Sequence, residues 1–187
     1  MLLSSTDPIK ISGKEIYEYQ ITQLKHDKAY HREIWVLGVV RGMNHVVLHL
    51  MKYLARLGSF SIPDSKNKQA FVDSFIMIVS AGNLLNLSFS KLIYSSSTED
   101  HACRFDGDFI KDYIDLLAEM AKACEATDHQ EDYPIRVVWN NSVEKFFVLL
   151  VLEAEKRGIN IVTEARNRLL EVESSHALNE IFQENVW

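Results

Sequence analysis

The stretch of sequence that decides the fold is Gln69-Ala-Phe-Val-Asp73-Ser-Phe-Ile-Met-Ile-Val-Ser-Ala-Gly-Asn83-Leu-Leu-Asn-Leu-Ser-Phe-Ser90, in which Asp73 is the one charged residue. Apolar side chains lie almost all the way round this segment when it is wound as a helix, a pattern typical of an interior helix. A carboxylate in such a helix is destabilising unless it is paired, hydrogen-bonded or bound to a metal. We therefore expect Asp73 to be buried and to have a specific partner: His45, His49 or a bound cation.

The composition is that of an ordinary soluble globular protein, with 187 residues, 47% hydrophobic and 25% charged. This length predicts a single domain over residues 1–187, with a core over about 12–158 and short C-terminal helices over about 160–185. A net charge of -6 argues against a general nucleic-acid binder, which would usually carry a basic domain.

Two features of the sequence predict a cytoplasmic location. Cys103 and Cys124 fit a reduced compartment, although the sequence is also compatible with a single disulfide between them. The N-terminus lacks the basic start and apolar run of a signal peptide. The 69–90 segment has nearly the length of a membrane span, but its polar residues make it too polar for the centre of a bilayer, so we expect no membrane association.

Helical periodicity dominates the rest of the chain and predicts an all-α bundle of four to five main helices. We expect the first helix to begin at Ser12, and a long second helix to run from about His31 to Leu57. Later segments follow at 63–87, 108–133 and 141–158, with two short helices capped by Asn160 and Ser175. A polar loop is expected at 95–107. The single strand candidate, Ile135–Trp139, has no second strand to pair with.

The second predicted helix carries apolar residues at the spacing of a seam between packed helices, namely Val36, Val40, Met43, Val47, Leu50, Leu54 and Leu57. Its apolar arc covers more than half of its circumference, which is more than one neighbour in a small bundle need cover. We therefore predict a homodimer or a higher oligomer.

The same helix has a narrow basic face formed by Arg41, His45, His49 and Lys52. Three interpretations are open: a stripe that only meets water, a cationic wall of a phosphate pocket, or a metal site at the histidine pair, which is spaced as in zinc helices. At the end of the fourth predicted helix, Glu125, Asp128, His129 and Asp132 share a face and could hold a divalent cation or form ordinary ion pairs.

The third predicted helix resembles a metal-binding helix of the MazG-like, all-α nucleotide pyrophosphohydrolases. In that family the helix carries Glu-x-x-Asp followed by an apolar run with a characteristic asparagine. Here Asp73 matches the aspartate and Asn83 the asparagine, over about twenty residues. The resemblance implies a helical core, usually assembled with a partner subunit, that holds Mg²⁺ and cleaves a nucleoside triphosphate into a monophosphate and pyrophosphate.

This sequence departs from the family pattern at the acidic positions. Ala70 stands where the family has the glutamate before the aspartate, and the upstream Glu-x-x-Glu would fall on the 44–52 stretch, which offers His45 and His49 instead. One carboxylate does not replace a cluster for Mg²⁺, and imidazole favours other metals. A rearranged metal site would need Glu125 and Asp128 to join Asp73.

Three hypotheses about function follow. The first is a Mg²⁺-dependent pyrophosphohydrolase with rearranged ligands Asp73, Glu125 and Asp128. The second is a non-catalytic relative that binds a nucleotide or another phosphate-containing small molecule through Arg41, His45, His49, Lys52 and Asn83. The third is a helical protein that acts by assembling with a partner.

Overall fold

The structure, a computed structural model, describes residues 11–59, 63–95, 105 and 107–176. These residues form helices and no strand, so the all-α prediction is confirmed. The helices are α1 (Gly13–Tyr30), α2 (Arg32–Trp35), α3 (Gly38–Leu57), α4 (Asp64–Leu85), α5 (Phe89–Ser95), α6 (Phe109–His129), α7 (Ile135–Lys156) and α8 (Ile161–Ser175).

Helix α4 occupies the centre of the bundle, as its lack of charge predicts. It contacts α1, α3, α7 and α8, and its middle turns are buried on nearly every side. The helix ends at Asn86, which adopts a left-handed conformation with φ of 59° and donates its backbone N–H to the carbonyl of Asn83. Asparagine tolerates that conformation better than most residues, so the helix ends here rather than at the predicted Leu87.

Two predicted caps are confirmed. Ser12 accepts a hydrogen bond from the backbone N–H of Glu15 at the start of α1, and Asn160 accepts one from Thr163 at the start of α8. Each satisfies an N–H group that the first helical turn leaves without a partner. Helix α8 ends at Ser175, and the short helix predicted to follow it lies outside the described residues.

The long second helix predicted from His31 to Leu57 is divided in the structure. The single turn of α2 ends before Gly38, whose φ of +78° is available to glycine but strained for other residues. This break places α2 and α3 at different orientations to the bundle. Val36 of the predicted seam precedes the break and is exposed, and Val40 in the first turn of α3 is exposed as well, whereas Met43, Val47, Leu50 and Leu57 are buried.

The strand candidate Ile135–Trp139 is the first part of α7, so the prediction that the fifth helix begins near Asn141 is wrong. Pro134 immediately precedes this helix, a position where the missing N–H has no structural consequence. Helix α6 ends at His129, earlier than predicted, because Gln130 turns the chain with a φ of 53°. The short helix α5 was not predicted.

An aromatic core joins α4, α5, α6 and α7. Phe147 stacks on Phe89 with ring centroids 4.2 Å apart and planes 5° apart, and Tyr113 meets Phe146 edge to face at 4.6 Å. These rings are fully buried. Cys124 is buried near this core, and burial raises the pKa of its thiol to about 11, whereas Cys103 lies outside the described residues.

No helix among the described residues combines the length and the apolar character that crossing a bilayer requires. The predicted loop at 95–107 falls mostly outside the described residues.

Candidate functional site

A cavity of about 200 Å³ opens on the side of the bundle away from the aromatic core. Helices α1, α2, α3, α4 and α8 all contribute to its wall. Four histidines line it together with two carboxylates and one arginine: His26, His31, His45, His49, Asp27, Asp73 and Arg168. The remainder of the lining is mostly apolar or aromatic, and includes Trp35, Met77 and Leu84. This combination of apolar walls and a few convergent polar groups is typical of a small-molecule site.

Asp27 of α1 is one of the two buried carboxylates that line the cavity. Its Oδ1 accepts a hydrogen bond from Gln23 Nε2 at 2.7 Å, and its Oδ2 accepts one from Ser80 Oγ of α4 at 2.7 Å. Burial raises the pKa of the Asp27 carboxyl above its ordinary value, although these two hydrogen bonds oppose the rise. Within the described part of the chain Asp27 forms no ion pair with an arginine or lysine, so its charge is stabilised by hydrogen bonds and nearby imidazoles.

The histidine pair of α3 faces into this cavity. The rings of His45 and His49 lie 4.3 Å apart between centroids. Burial lowers the pKa of His49 to about 4, helped by the positive charge of Lys52, and burial likewise lowers the pKa of His45. Both rings are therefore neutral near pH 7. They offer polar nitrogen atoms to a ligand without adding positive charge.

Lys52 places a cation beside the histidine pair. Its Nζ lies 3.3 Å from Nδ1 of His49 and 4.7 Å from the centre of the Tyr53 ring. Because an ammonium group can only donate, Nδ1 of His49 accepts, which leaves the ring proton on Nε2. Lys52 itself is exposed and His49 lines the cavity, so the ammonium group stands at the rim.

Asp73 is buried, as predicted, but its partner is Arg168 of α8 rather than a histidine or a cation. Arg168 Nε donates to Asp73 Oδ1 at 3.0 Å, and Arg168 Nη1 donates to Glu171 at 3.0 Å. Burial lowers the pKa of Arg168, but its bonds to Asp73 outweigh that effect and the pKa rises overall. The carboxylate that carries the family resemblance is thus committed to an ion pair.

Helix α8 closes one side of the cavity and is held by polar contacts to α1 and α4. His26 Nδ1 donates to Glu173 Oε1 at 2.9 Å in a contact that is almost entirely buried on the histidine side. Leu169 and Val172, which lie between the two ion-paired positions, contribute apolar wall. The C-terminal helix, which the sequence predicted only as a short addition to the core, is therefore part of the site.

The predicted phosphate-binding residues separate into two groups. His45 and His49 line the cavity, whereas Arg41 and Lys52 are exposed on the same helix outside it. Asn83 has a different role: its Nδ2 donates to the carbonyl of Gln20 at 3.1 Å and ties α4 to α1. Asn83 is not among the residues that line the cavity.

The predicted metal ligands do not meet. Tyr113 Oη lies 2.9 Å from Ser74 Oγ, which fixes where α6 passes Asp73, and Glu125 lies twelve residues further along, or about 18 Å at the rise of an α-helix. Glu125 is exposed and pairs with Lys122, and Asp128 is exposed. Within the part of the chain that the structure describes, no three His, Cys, Asp or Glu side chains are arranged to hold a metal ion. These residues do not fit the Mg²⁺ cluster that the resemblance implies.

Sequence reasoning missed Asp27, Arg168 and Trp35, three residues that define the cavity. The neighbouring pair His26-Asp27 was a usable signal, because both residues fall on the buried face of an otherwise polar helix that also includes Tyr19 and Gln23. The sequence around Arg168 gave no such signal, because it predicted only a short helix outside the core.

Searches against protein-family models, curated proteins and solved structures gave no match for this chain. The resemblance to MazG-like enzymes therefore stays a hypothesis about the origin of α4. The geometry of the cavity is the basis for assigning a function.

Proposed function

We propose that the cavity binds a nucleotide or a related nucleoside phosphate, and that it does so without a metal ion. The observation that carries this proposal is the distribution of charge: a buried carboxylate, Asp27, lines the cavity, and an ammonium group, Lys52, lies outside the lining at 3.3 Å from Nδ1 of His49. A ligand with N–H donors at one end and an anionic group at the other complements both.

The spacing of His45 and Lys52 along α3 suits such a ligand. Asp27 and His45 are close enough for the charge of Asp27 to affect the pKa of His45. Lys52 follows His45 by seven residues, or about 10 Å along α3. This length is comparable with the distance from the hydrogen-bonding edge of a nucleobase to its first phosphate. The phosphate would then meet Lys52. Arg41 lies one helical turn before His45, at the opposite end of the basic face.

The walls between the two charges favour a flat ring. Trp35, Tyr53 and the imidazoles of His45 and His49 present aromatic faces, and Met77 and Leu84 present apolar ones. Aromatic and sulfur-containing side chains stack well on planar heterocycles. Burial, followed by the nearby Asp73, raises the pKa of Tyr53 to about 12, so its hydroxyl keeps its proton.

A Mg²⁺-dependent pyrophosphohydrolase is less well supported by the same geometry. Such an enzyme holds the metal on several carboxylates, and here Asp73 is paired with Arg168 while Asp27 holds hydrogen bonds from Gln23 and Ser80. Pairing with a guanidinium group neutralises the negative charge that would otherwise attract a divalent cation. We therefore propose binding and not turnover.

The test is a thermal-shift and calorimetric panel of nucleoside mono- and triphosphates, with and without Mg²⁺. Binding to the folded state raises the melting temperature, by the equivalent of about 2.7 kcal/mol at a ligand concentration of 100 Kd. We expect stabilisation without metal and an affinity that falls as salt rises. Lys52→Ala should weaken binding by up to about fivefold, the usual range for one exposed charge contact.

Lys66→Ala is the matched control, because Lys66 is an exposed lysine of α4 whose ammonium group, unlike that of Lys52, has no polar contact with a described residue of the cavity. Its affinity should equal that of the wild type. Failure of every nucleotide to bind would overturn the proposal. Mg²⁺-dependent release of pyrophosphate that Asp73→Asn abolishes would replace it with the enzyme.

A second candidate function, assembly of two copies of this chain, is favoured by the exposed apolar side chains of α3 and the turn before it. Leu48 is 65% exposed and Met51 53%, and Val36, Leu37 and Val40 are exposed as well. Clustered exposure of this kind is typical of an interface. Light scattering at micromolar concentration tests it: a dimer mass that Leu48→Glu reduces to a monomer mass supports assembly, and a monomeric wild type rejects it.

A further inference from the structure

We propose that Asp27 is the anchor of the bound ligand, and that the ligand presents to it two adjacent N–H donors on one planar edge, as guanine and guanidinium groups do. This inference rests on the proposed function and names the class of base. The same chemistry could come from a guanine nucleotide or from a guanidinium compound, and the experiment below separates them.

The hydrogen-bond capacity of Asp27 sets the number of donors. An ionised carboxylate offers about four lone-pair positions, two on each oxygen. Gln23 occupies one on Oδ1 and Ser80 occupies one on Oδ2, both at 2.7 Å. One position on each oxygen is left for a ligand. Two parallel N–H groups on a planar edge fill both positions at once, as in the bidentate pairing of a guanidinium group with a carboxylate.

A buried chain of hydrogen bonds fixes the orientation of this carboxylate. Tyr19 Oη donates to Gln23 Oε1 at 2.9 Å, and Gln23 passes the constraint on through its Nε2 bond to Asp27. Tyr19 and Gln23 are almost completely buried. A carboxylate held on two sides in this way does not need to rotate when a ligand arrives, which limits the entropy lost on binding.

The charges around Asp27 favour a donor over an acceptor. Arg168, the cation that lines the cavity, is engaged by Asp73 and Glu171. His26 donates to Glu173, and burial lowers the pKa of His31. Asp27 is therefore a buried carboxylate with no arginine or lysine partner among the described residues, and such a charge gains most from strong donors.

The flanking rings agree with a planar group. Trp35 of α2 and the imidazoles of α3 line the same cavity as Asp27. A guanine ring or a guanidinium plane can stack on such faces while its edge meets the carboxylate.

The decisive experiment measures the affinity of the wild-type chain for GMP, IMP and AMP by calorimetry, with agmatine as the guanidinium probe. IMP lacks the exocyclic amine of GMP and so offers one donor where GMP offers two, while AMP places its amine beside a ring acceptor. We expect GMP to bind about tenfold to a hundredfold more tightly than IMP or AMP, the range for one good bidentate pair.

Asp27→Asn should abolish this preference, because the amide offers one oxygen and turns a donor toward the ligand. Asp115→Asn, which changes an exposed carboxylate of α6 outside the cavity, is the matched control and should keep it. The ligand series on the wild type tests the inference even if Asp27→Asn does not fold.

Each outcome bears on the anchor and on the proposed function separately. Equal affinity for the three nucleotides would overturn the anchor and leave nucleotide binding standing. Binding of agmatine alone, lost in Asp27→Asn, would support the anchor and overturn nucleotide binding. Absence of binding by all four probes would overturn both.

Discussion

The two sides of α4 differ in burial and in the residues that build them: Ile76, Met77, Ser80 and Leu84 on the cavity side are half-buried, whereas Phe71, Ser74, Phe75 and Ile78 are fully buried. On the side of α6 and α7 it meets closely packed rings such as Phe146 and Phe147, and a polar cluster there is hydrogen-bonded: Tyr113 Oη contacts Ser74 Oγ and donates to the carbonyl of Leu50. On the side of α1 and α8 it meets carboxylates, imidazoles and open space.

This difference shows where the sequence has kept polar groups in spite of their desolvation. Replacing Asp27, His45 and His49 by apolar residues would fill the cavity and increase the buried apolar area. Proteins commonly keep such destabilising groups at sites that bind ligands, where they are offset by packing elsewhere. The aromatic side therefore supplies the stability, and the polar side supplies the site.

The largest expected effect on stability comes from removing one ring of the aromatic side. Phe147→Ala removes a ring that stacks on Phe89 at 4.2 Å and is 1% exposed, so it should lower the free energy of unfolding by about 3–5 kcal/mol. Chemical denaturation measures this. Val137→Ala, at an exposed position of the same helix, should change it by less than about 0.5 kcal/mol. Similar losses for the two variants would show that the aromatic side does not dominate stability.

The second effect concerns the ion pair at the cavity edge. Arg168→Met leaves Asp73 buried without its cation, and we expect a loss of about 2 kcal/mol, below the range for fully buried pairs because Arg168 is partly exposed. The double variant with Asp73→Asn should recover part of that loss, since no charge is then left unpaired. A double-mutant cycle with no coupling energy would contradict the pairing.

The third effect compares two glycines on opposite sides of the bundle. A Cβ at Gly82 would lie 2.6 Å from the ring of Phe89, whereas a Cβ at Gly42 would meet the flexible end of Leu84 at 2.9 Å. Alanine gains up to about 1 kcal/mol over glycine in a helix. Overpacking against a rigid ring costs about 1–3 kcal/mol and should exceed that gain at Gly82.

At Gly42, in contrast, Leu84 borders the cavity and has room to move. We therefore expect Gly82→Ala to lose about 1 kcal/mol and Gly42→Ala to be neutral or slightly stabilising. Melting temperatures of the two variants give the comparison. A destabilised Gly42→Ala with an unaffected Gly82→Ala would mean that the cavity side is the rigid one.

The same contrast explains how much the sequence predicted. Buried helices and their caps depend on local pattern, so the central position of α4 and the caps at Ser12 and Asn160 were predictable. The cavity depends on residues from five helices, and its pairs are distant in sequence: Asp73 with Arg168, and His26 with Glu173. Hydrophobic periodicity carries no information about such pairs.

The predicted basic face carries less positive charge than the sequence suggested, for a related physical reason. A helical wheel placed His45, His49, Arg41 and Lys52 together and suggested a row of positive charge. Folding half-buries the two histidines and lowers their pKa, while the two strong bases remain exposed. The charge of a titratable side chain depends on burial, which the wheel does not show.

The smallest expected effect is the dependence of stability on pH through His49. Its pKa falls from 6.5 to about 4 on folding, because of burial and the neighbouring His45, Lys52 and His31. Between these values the unfolded chain binds more protons than the folded chain, so stability falls as the pH is lowered from 6.5 toward 4. Because His49 is only half-buried, solvent screening should keep its share to about 1 kcal/mol or less at pH 5.

His49→Gln removes this contribution, and the variant should lose less stability than the wild type between pH 7 and pH 5. The raised pKa of Asp27 acts in the opposite sense, since its protonation favours the folded chain as the pH falls, and it is present in both proteins. Denaturation curves at the two pH values isolate the difference, and between pH 7 and pH 8 the two proteins should show the same slope. If the stability of the two proteins changed equally with pH below pH 6.5, His49 would be protonated in the folded protein. The cavity would then carry a positive charge at His49, contrary to the lowered pKa that follows from burial.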